Sequence, residues 1–231
     1  MPRHESPLFL HEKIMLLALR DEKGTVECGS RYNFAMGGAI LADLLLAERI
    51  SIEKGKKKLV NLASRTPMGD SVIDECRKKI SSAKRRANAQ TWVQRFSSLK
   101  KLHHRVAQGL CKRGILRADE DKVLFFFSRQ IYPELNPQPE RKLIERLRKA
   151  IFEDSRNVDP RTVTLISLAK AADLLRIPFD KKDLKKRKKR IDQIVNGEMM
   201  GKAAREAVEA AQAAVMVACI IPAMTVTTIS S

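Results

Sequence analysis

Apolar residues recur at helical spacing along most of this chain. The first such stripe carries Leu10, Ile14, Leu17 and Ala18, and it ends in a polar stretch at residues 21–24. Ser6 and Pro7 stand just before the stripe as a cap residue and a first-turn proline. The pattern predicts an amphipathic helix at the N-terminus.

The next segment is apolar on nearly every face. From Asn33 it reads NFAMGGAILADLLLAERI, without the polar stripe of a surface helix. Such a pattern predicts a central helix that is packed on all sides, and Gly37 and Gly38 would let a neighbouring element approach closely.

Further helices follow. Asp70 or Ser71 caps a third one, in which Val72, Ile73, Cys76 and Ile80 share a face. A fourth stripe carries Leu99, Leu102, Val106 and Leu110 and stops at Gly114. The later helices are expected at residues 140–152, at 159–175 with Pro160 in first position, at 180–195, and in an alanine-rich segment at 199–221.

The period changes between Gly114 and Pro133. The segment ILRADEDKVLFFFSRQIYP predicts a short strand, an acidic turn and a second strand. Three prolines then exclude a helix before Glu140. The fold class is therefore mainly α: one globular helical domain over residues 8–231 after a short extension at 1–7, with a central buried helix, surrounding amphipathic helices and one protruding β-hairpin.

The charge points to polyanionic partners. Lys and Arg number 45 against 27 Asp and Glu, a net charge of +18, and the basic residues cluster at 54–58, 77–86 and 181–190. The N-terminus lacks the pattern of a secretory signal. The longest apolar tract, at 210–226, is interrupted by Gln212 and Pro222 and is shorter than the roughly 20 residues of a bilayer span. We expect a cytoplasmic protein with peripheral membrane contact.

Motifs of catalysis and metal binding are missing from the sequence. It contains no G-x-G-x-x-G, no G-x-x-x-x-G-K-[ST] and no H-E-x-x-H. Its cysteines lie far apart, without a C-x-x-C pair, and are expected to be reduced: Cys28, Cys76, Cys111 and Cys219. We expect a binding protein rather than an enzyme, without a cofactor or a metal ion.

The order of these segments resembles the Golgi phosphoprotein 3 family. The resemblance rests on LFLHEKIMLLALRDEKG, MGGAILADLLLAERI, TPMGDSVIDE, LHHRVAQGLCKRGIL, LFFFSRQIYPELNPQPERKLIERLRKAIF and DPRTVTLISLAKAADLL. It implies a mostly α-helical domain with a β-hairpin that promotes homo-oligomerisation. It also implies an adaptor that binds phosphatidylinositol 4-phosphate and grips cytoplasmic tails of membrane proteins, on the Golgi in a eukaryote.

The implied headgroup pocket departs from the family. The family's tryptophan falls at Cys28 and one arginine at Gly37, while two other basic positions fall at Lys100 and His103. Nearby side chains would complete an anionic site. The resemblance thus predicts these headgroup contacts: Lys100, His103, Arg105, Arg31 and Tyr32, with Lys101 and His104 beside them. These departures favour a bacterial or divergent member, which would lie in the cytoplasm or on the inner membrane face.

The apolar run beside the prolines falls where the family has its hairpin. We expect the phenylalanines to secure one strand to the core while an apolar tip with a flanking arginine faces a bilayer. The alternative is an arm that packs on another subunit. The membrane or oligomer contacts expected here are Phe127, Arg129, Ile131, Tyr132 and Leu135.

Two other functions fit the sequence. The segment LHHRVAQGLCKRGILRADEDKVLFFFSRQ, a helix followed by a two-stranded wing, also fits a winged-helix nucleic-acid binder. Against that reading, the basic runs lie on several helices, and none of these pairs Arg with Asn or Gln as base readout requires. The third possibility is a scaffold without a ligand.

Overall fold

The computed structural model describes residues 7–20, 24–26, 29–53, 56–123, 127–154 and 157–198, and it is mainly α-helical. The α-helices are α1 (Leu10–Leu17), α2 (Ser30–Leu46), α3 (Ser71–Ser81), α4 (Ala89–Ser97), α5 (Leu102–Lys112), α6 (Gln138–Phe152), α7 (Pro160–Ala171), α8 (Lys181–Lys186) and α9 (Lys188–Val195). The strands are β1 (Ile50–Ile52), β2 (Val60–Leu62), β3 (Asp119–Val123) and β4 (Phe127–Ile131).

Helix α2 is the central helix that the sequence predicts. It contacts α1, α3, α4 and α7, and Met36, Ile40, Leu41 and Leu44 are fully buried. Burying a side chain of this size stabilises the fold by about 1.5–3 kcal/mol. The all-round apolar pattern of α2 therefore follows from its packing on several sides, and the predicted central position is confirmed.

Two predicted helix caps are present. The Asp70 carboxylate accepts hydrogen bonds from the backbone N–H groups of Val72 (3.0 Å) and Ile73 (2.8 Å). Asp159 accepts one from Thr162 N at 3.0 Å, with Pro160 as the first residue of α7. Each such cap contributes about 1 kcal/mol, and these two caps determine where α3 and α7 start.

The predicted start of the first helix at Ser6 and Pro7 is wrong. Helix α1 begins at Leu10, and the Phe9 N–H donates to the Glu12 carboxylate at 2.8 Å. The glutamate three residues after the cap position thus satisfies a backbone donor that lies outside the helical ladder.

The sequence pattern missed one helix and one hairpin. Helix α4 starts after Asn88, whose side chain accepts from Thr91 N at 2.9 Å, and it buries Trp92 and Phe96. Strands β1 and β2 pair antiparallel, with Ile50 opposite Leu62. The described residues therefore contain two hairpins where one was expected.

Two predicted helices are shorter than the pattern indicated. The helix expected at 159–175 ends at Ala171, and Asp173 then takes a left-handed conformation (φ 61°) before a short 3-10 helix. The helix expected at 180–195 is divided at Arg187 into α8 and α9. The helix expected at 199–221 lies outside the described residues.

The predicted acidic turn is a strand. Strand β3 contains DEDKV, and it pairs antiparallel with β4 so that Asp119 lies opposite Ile131 and Val123 opposite Phe127. This register places the connection at residues 124–126, which lie outside the described part, as does the expected anchoring role of Phe125 and Phe126. The acidic residues were misassigned because charged residues on an edge hairpin resemble a turn in composition.

A buried histidine links three segments of the core. His11 is fully buried, with Nδ1 3.6 Å from Asp43 Oδ2 and Nε2 3.6 Å from Asp70 Oδ1. Both distances are too long for hydrogen bonds, so these are charge contacts. Burial alone would lower the pKa of His11, but the two carboxylates outweigh it and raise the pKa to about 9. His11 is thus a buried cation that joins α1 to α2 and to the cap of α3.

Candidate functional site

The start of α5 carries two of the predicted or neighbouring cationic side chains. Lys100 and Lys101 are both exposed, and Lys101 holds the cap position in a left-handed conformation (φ 54°). No side chain caps α5 and no acidic residue lies in its first turn. The partial positive charge of a helix N-terminus adds to that of the two lysines, so this end attracts anions.

Two histidines lie side by side in the first turn. The ring centroids of His103 and His104 are 3.8 Å apart, and His104 Nδ1 lies 2.6 Å from the Tyr132 hydroxyl. Burial and the charge of His104 lower the pKa of His103, and burial and Lys101 lower the pKa of His104. Both rings therefore gain their proton only at a pH below the usual range of histidine.

Two predicted headgroup contacts have other partners. Arg105 forms an ion pair with Glu75 of α3. Burial alone would raise the pKa of the Glu75 carboxyl, but the contact with Arg105 outweighs it and the pKa is lowered. Tyr32 is a core residue whose hydroxyl donates to Met15 Sδ at 3.1 Å. Both were predicted as surface contacts because residue type and spacing do not show which neighbour a side chain meets.

Arg31 is exposed in the first turn of α2. Helix α2 leads at its C-terminus into β1, and β2 meets the cap residue of α4 through the Leu59–Asn88 bridge. Helix α2 packs against α4, the helix that precedes Lys100 and Lys101 in the chain.

The contact of α2 with α4 explains one departure from the family. A Cβ atom added at Gly37 would lie 2.6 Å from the carbonyl oxygen of Val93 and 2.9 Å from the backbone nitrogen of Ser97. Any side chain at this position would collide with the backbone of α4. The sequence resemblance aligns a headgroup arginine of the family with this position, and in this chain the backbone of α4 leaves no room for a side chain there.

The hairpin residues do not form the expected exposed tip. Ile131 and Tyr132 are buried at the end of β4, and the Tyr132 N–H donates to the Gly24 carbonyl at 2.9 Å. Leu135, by contrast, is 63% exposed and is the one large apolar side chain so exposed among the described residues. Phe127 and Arg129 lie in β4, with Arg129 opposite Asp121.

The three basic runs of the sequence differ in their contacts in the structure. Arg86 of the second run donates to Glu53 (3.1 Å) and to Asn61 (3.0 Å), so it links this run to the β1–β2 hairpin that carries the first run. Arg77 of that run is buried beside Asp74. The third run borders a cavity of about 380 Å³ at α8 and α9, with Lys181 and Lys185 on its rim.

The described residues hold no cluster of three metal-ligating side chains. Cys76 and Cys111 are free thiols, as predicted, and burial raises the pKa of Cys76. Within the described part, no helix is both long enough and apolar enough to span a bilayer.

Comparison with known proteins identifies the family. The family model for Golgi phosphoprotein 3 (GPP34) matches residues 10–211. The chain belongs to this family. The resemblance seen in the ordered sequence segments is thus confirmed.

A curated relative is remote but consistent. Vacuolar protein sorting-associated protein 74 of Eremothecium gossypii is 23% identical over 217 residues, which cover 79% of this chain and 65% of the relative. The chain thus spans about two thirds of the relative's length. Neither comparison favours the winged-helix interpretation or the bacterial one.

Proposed function

We propose that this member of the Golgi phosphoprotein 3 family is a peripheral membrane adaptor that binds anionic phospholipid headgroups at the start of α5. The observation that carries the proposal is the uncapped helix end with exposed Lys100 and Lys101 and no acidic residue in its first turn. Each basic side chain near an anionic bilayer contributes about 1 kcal/mol. Arg31, exposed in the first turn of α2, is a further candidate contact. The two histidines become cationic only at a pH below their usual range.

The recognition is one of charge rather than of a particular headgroup. Lysines act as mobile point charges, whereas selectivity among phosphorylated headgroups needs planar, fixed donors such as arginine. The backbone of α4 occupies the space next to Gly37, and Arg105 is held by Glu75. Both features support a weak preference for phosphatidylinositol 4-phosphate over other acidic lipids at equal surface charge.

The adaptor role includes protein partners. We propose that the chain holds cytoplasmic tails of membrane proteins and self-associates through the β3–β4 hairpin, where the exposed Leu135 lies close to the base. In a eukaryotic cell the membrane would be the Golgi. The protein has no catalytic step in this proposal.

Vesicle flotation tests the proposal. The protein is mixed with vesicles of phosphatidylcholine alone, with vesicles that also contain phosphatidylserine, and with vesicles that contain phosphatidylinositol 4-phosphate at equal total charge. We expect flotation with both acidic compositions, and a marked loss between about 0.1 M and 1 M salt because the Debye length falls from about 10 Å to about 3 Å. Flotation with phosphatidylcholine alone to the same extent would contradict the proposal.

A titration with duplex DNA in the same buffers addresses the nucleic-acid alternative. Non-specific DNA binding at physiological salt has a dissociation constant of about 10⁻⁴ to 10⁻⁶ M. We expect no tighter binding than this. Sequence-specific binding in the nanomolar range, without flotation, would replace the adaptor proposal by the winged-helix one.

A further inference from the structure

A second cationic cavity lies away from the start of α5. It has a volume of about 170 Å³ and opens between the N-terminal part of α1, the end of α5 and the N-terminal half of α6. The cavity is lined by four cationic side chains: Lys13, Arg113, Lys142 and Arg146. Apolar side chains such as Leu8 and Leu143 form its apolar floor. None of the described residues that line this cavity is acidic.

The charges at this cavity are only partly neutralised. Arg113 is held by the buried Glu12 carboxylate, with Nη1 2.9 and 2.8 Å from the two oxygens. Lys142 and Arg146 stand one helical turn apart on α6, and like charges at this spacing repel each other. The four cations that line the cavity therefore outnumber the Glu12 carboxylate that pairs with Arg113.

Lys13 adds a third cation that is half-buried. Burial and then the charge of Arg146 lower the pKa of Lys13, and Arg161 acts in the same direction. Asp43 and Asp159 oppose this effect, although the Asp43 carboxylate already pairs with Arg161 at 3.1 Å. A half-buried cation among like charges is costly, and a bound anion would relieve that cost.

We infer that this cavity binds an amphiphilic phosphate, with the phosphate between Lys13, Lys142 and Arg146 and a short apolar chain over Leu8 and Leu143. The cavity volume of about 170 Å³ leaves room for a ligand larger than a single water molecule. The cations can donate several charge-assisted hydrogen bonds to a phosphate. The same chemistry is offered by a free alkyl phosphate and by a phosphatidic acid headgroup with the upper part of its chain.

Isothermal titration with hexyl phosphate, inorganic phosphate and hexanol tests the cavity. We expect hexyl phosphate to bind at least about tenfold more tightly than either fragment, because only hexyl phosphate engages both the cations and the apolar floor. The variant K142Q/R146Q should lose about tenfold or more of this affinity. Both residues are exposed, so the fold is expected to persist, which circular dichroism checks.

Two matched variants control for net charge and for the α5 site. K182Q/K189Q removes the same charge on α8 and α9, and K100Q/K101Q removes it at the start of α5. Both should bind hexyl phosphate within about threefold of the unmodified protein, since screened charges at a distance contribute little. If K142Q/R146Q also stays within this range, or if inorganic phosphate binds as tightly as hexyl phosphate, the inference is overturned.

Vesicles distinguish the two sources of the phosphate. With phosphatidic acid and phosphatidylglycerol vesicles of equal charge, a preference for phosphatidic acid that K142Q/R146Q abolishes supports a lipid headgroup. Loss of hexyl phosphate binding in this variant without any such preference supports a free alkyl phosphate. Either result is independent of the flotation test of the α5 site.

Discussion

The close contact of α2 with α4 predicts that Gly37→Ala destabilises the protein. The new methyl group would lie 2.6 Å from Val93 O and 2.9 Å from Ser97 N, and both are backbone atoms that move only if the helices separate. Overpacking of this kind costs about 1–3 kcal/mol. The gain in helix propensity from Gly to Ala, about 1 kcal/mol, offsets part of that cost.

Gly109→Ala provides the matched control. Gly109 also lies inside a helix, α5, but a Cβ atom there would have nothing within 4 Å. This variant should keep the propensity gain and become more stable by about 0.5–1 kcal/mol. The two variants should therefore differ by about 1–3 kcal/mol, because the propensity terms cancel and only the collision remains.

Urea unfolding followed by circular dichroism measures this difference, with equal m-values as the condition for comparing the free energies. In thermal unfolding, each 1 kcal/mol corresponds to about 2–4 °C for a chain of this size. If Gly37→Ala stabilises the protein as much as Gly109→Ala does, α4 does not pack against Gly37 as described, and the explanation for the missing arginine fails.

Three further predictions concern titration and the exposed hairpin region. The pKa of His11 is raised to about 9 in the folded protein, so protonated His11 stabilises the fold fully below its unfolded pKa near 6.5, and this stability is lost as pH rises through 9. The free energy of unfolding should fall between these two pH values. A His11→Gln variant with the same fall would contradict this assignment. Because burial lowers the pKa of His103 and of His104, vesicle binding should strengthen mainly below pH of about 6.5, and a rise that is complete above this pH would show that other groups titrate. Leu135→Ser should change the free energy of unfolding by no more than about 0.5 kcal/mol. It should weaken either vesicle binding or the self-association seen in analytical ultracentrifugation. If neither changes, Leu135 is not part of the interaction surface.

Much of the fold was predictable because local chemistry and packing agree. The Asp70 cap and the all-apolar α2 are examples, since a capping carboxylate and a helix without a polar face each permit few structures. The Asn88 cap and the helical spacing of Trp92 and Phe96 also indicate helix α4. This pattern was missed because it directly follows a run of basic residues. Strands β1 and β2 are three residues each, too short for a period of two to be recognised.

The candidate site was less predictable than the fold. Lys100 and Lys101 are exposed, because charged side chains at a helix start tend to remain in solvent, and their role as headgroup contacts stays a prediction. The partners of Arg105 and Tyr32 were not predictable, since Glu75 and Met15 reach them from distant parts of the chain. The fate of Gly37 likewise depends on α4, which the sequence pattern missed.

The central claim is that the start of α5 is a localised site for anionic lipid. The most direct test compares vesicle affinities of K100Q/K101Q and K182Q/K189Q, which carry the same net charge. At about 1 kcal/mol for each lysine near the membrane, the α5 variant should lose about tenfold or more, and the control variant about threefold at most. Equal losses in the two variants would show that binding follows total charge rather than this site, and would contradict the account.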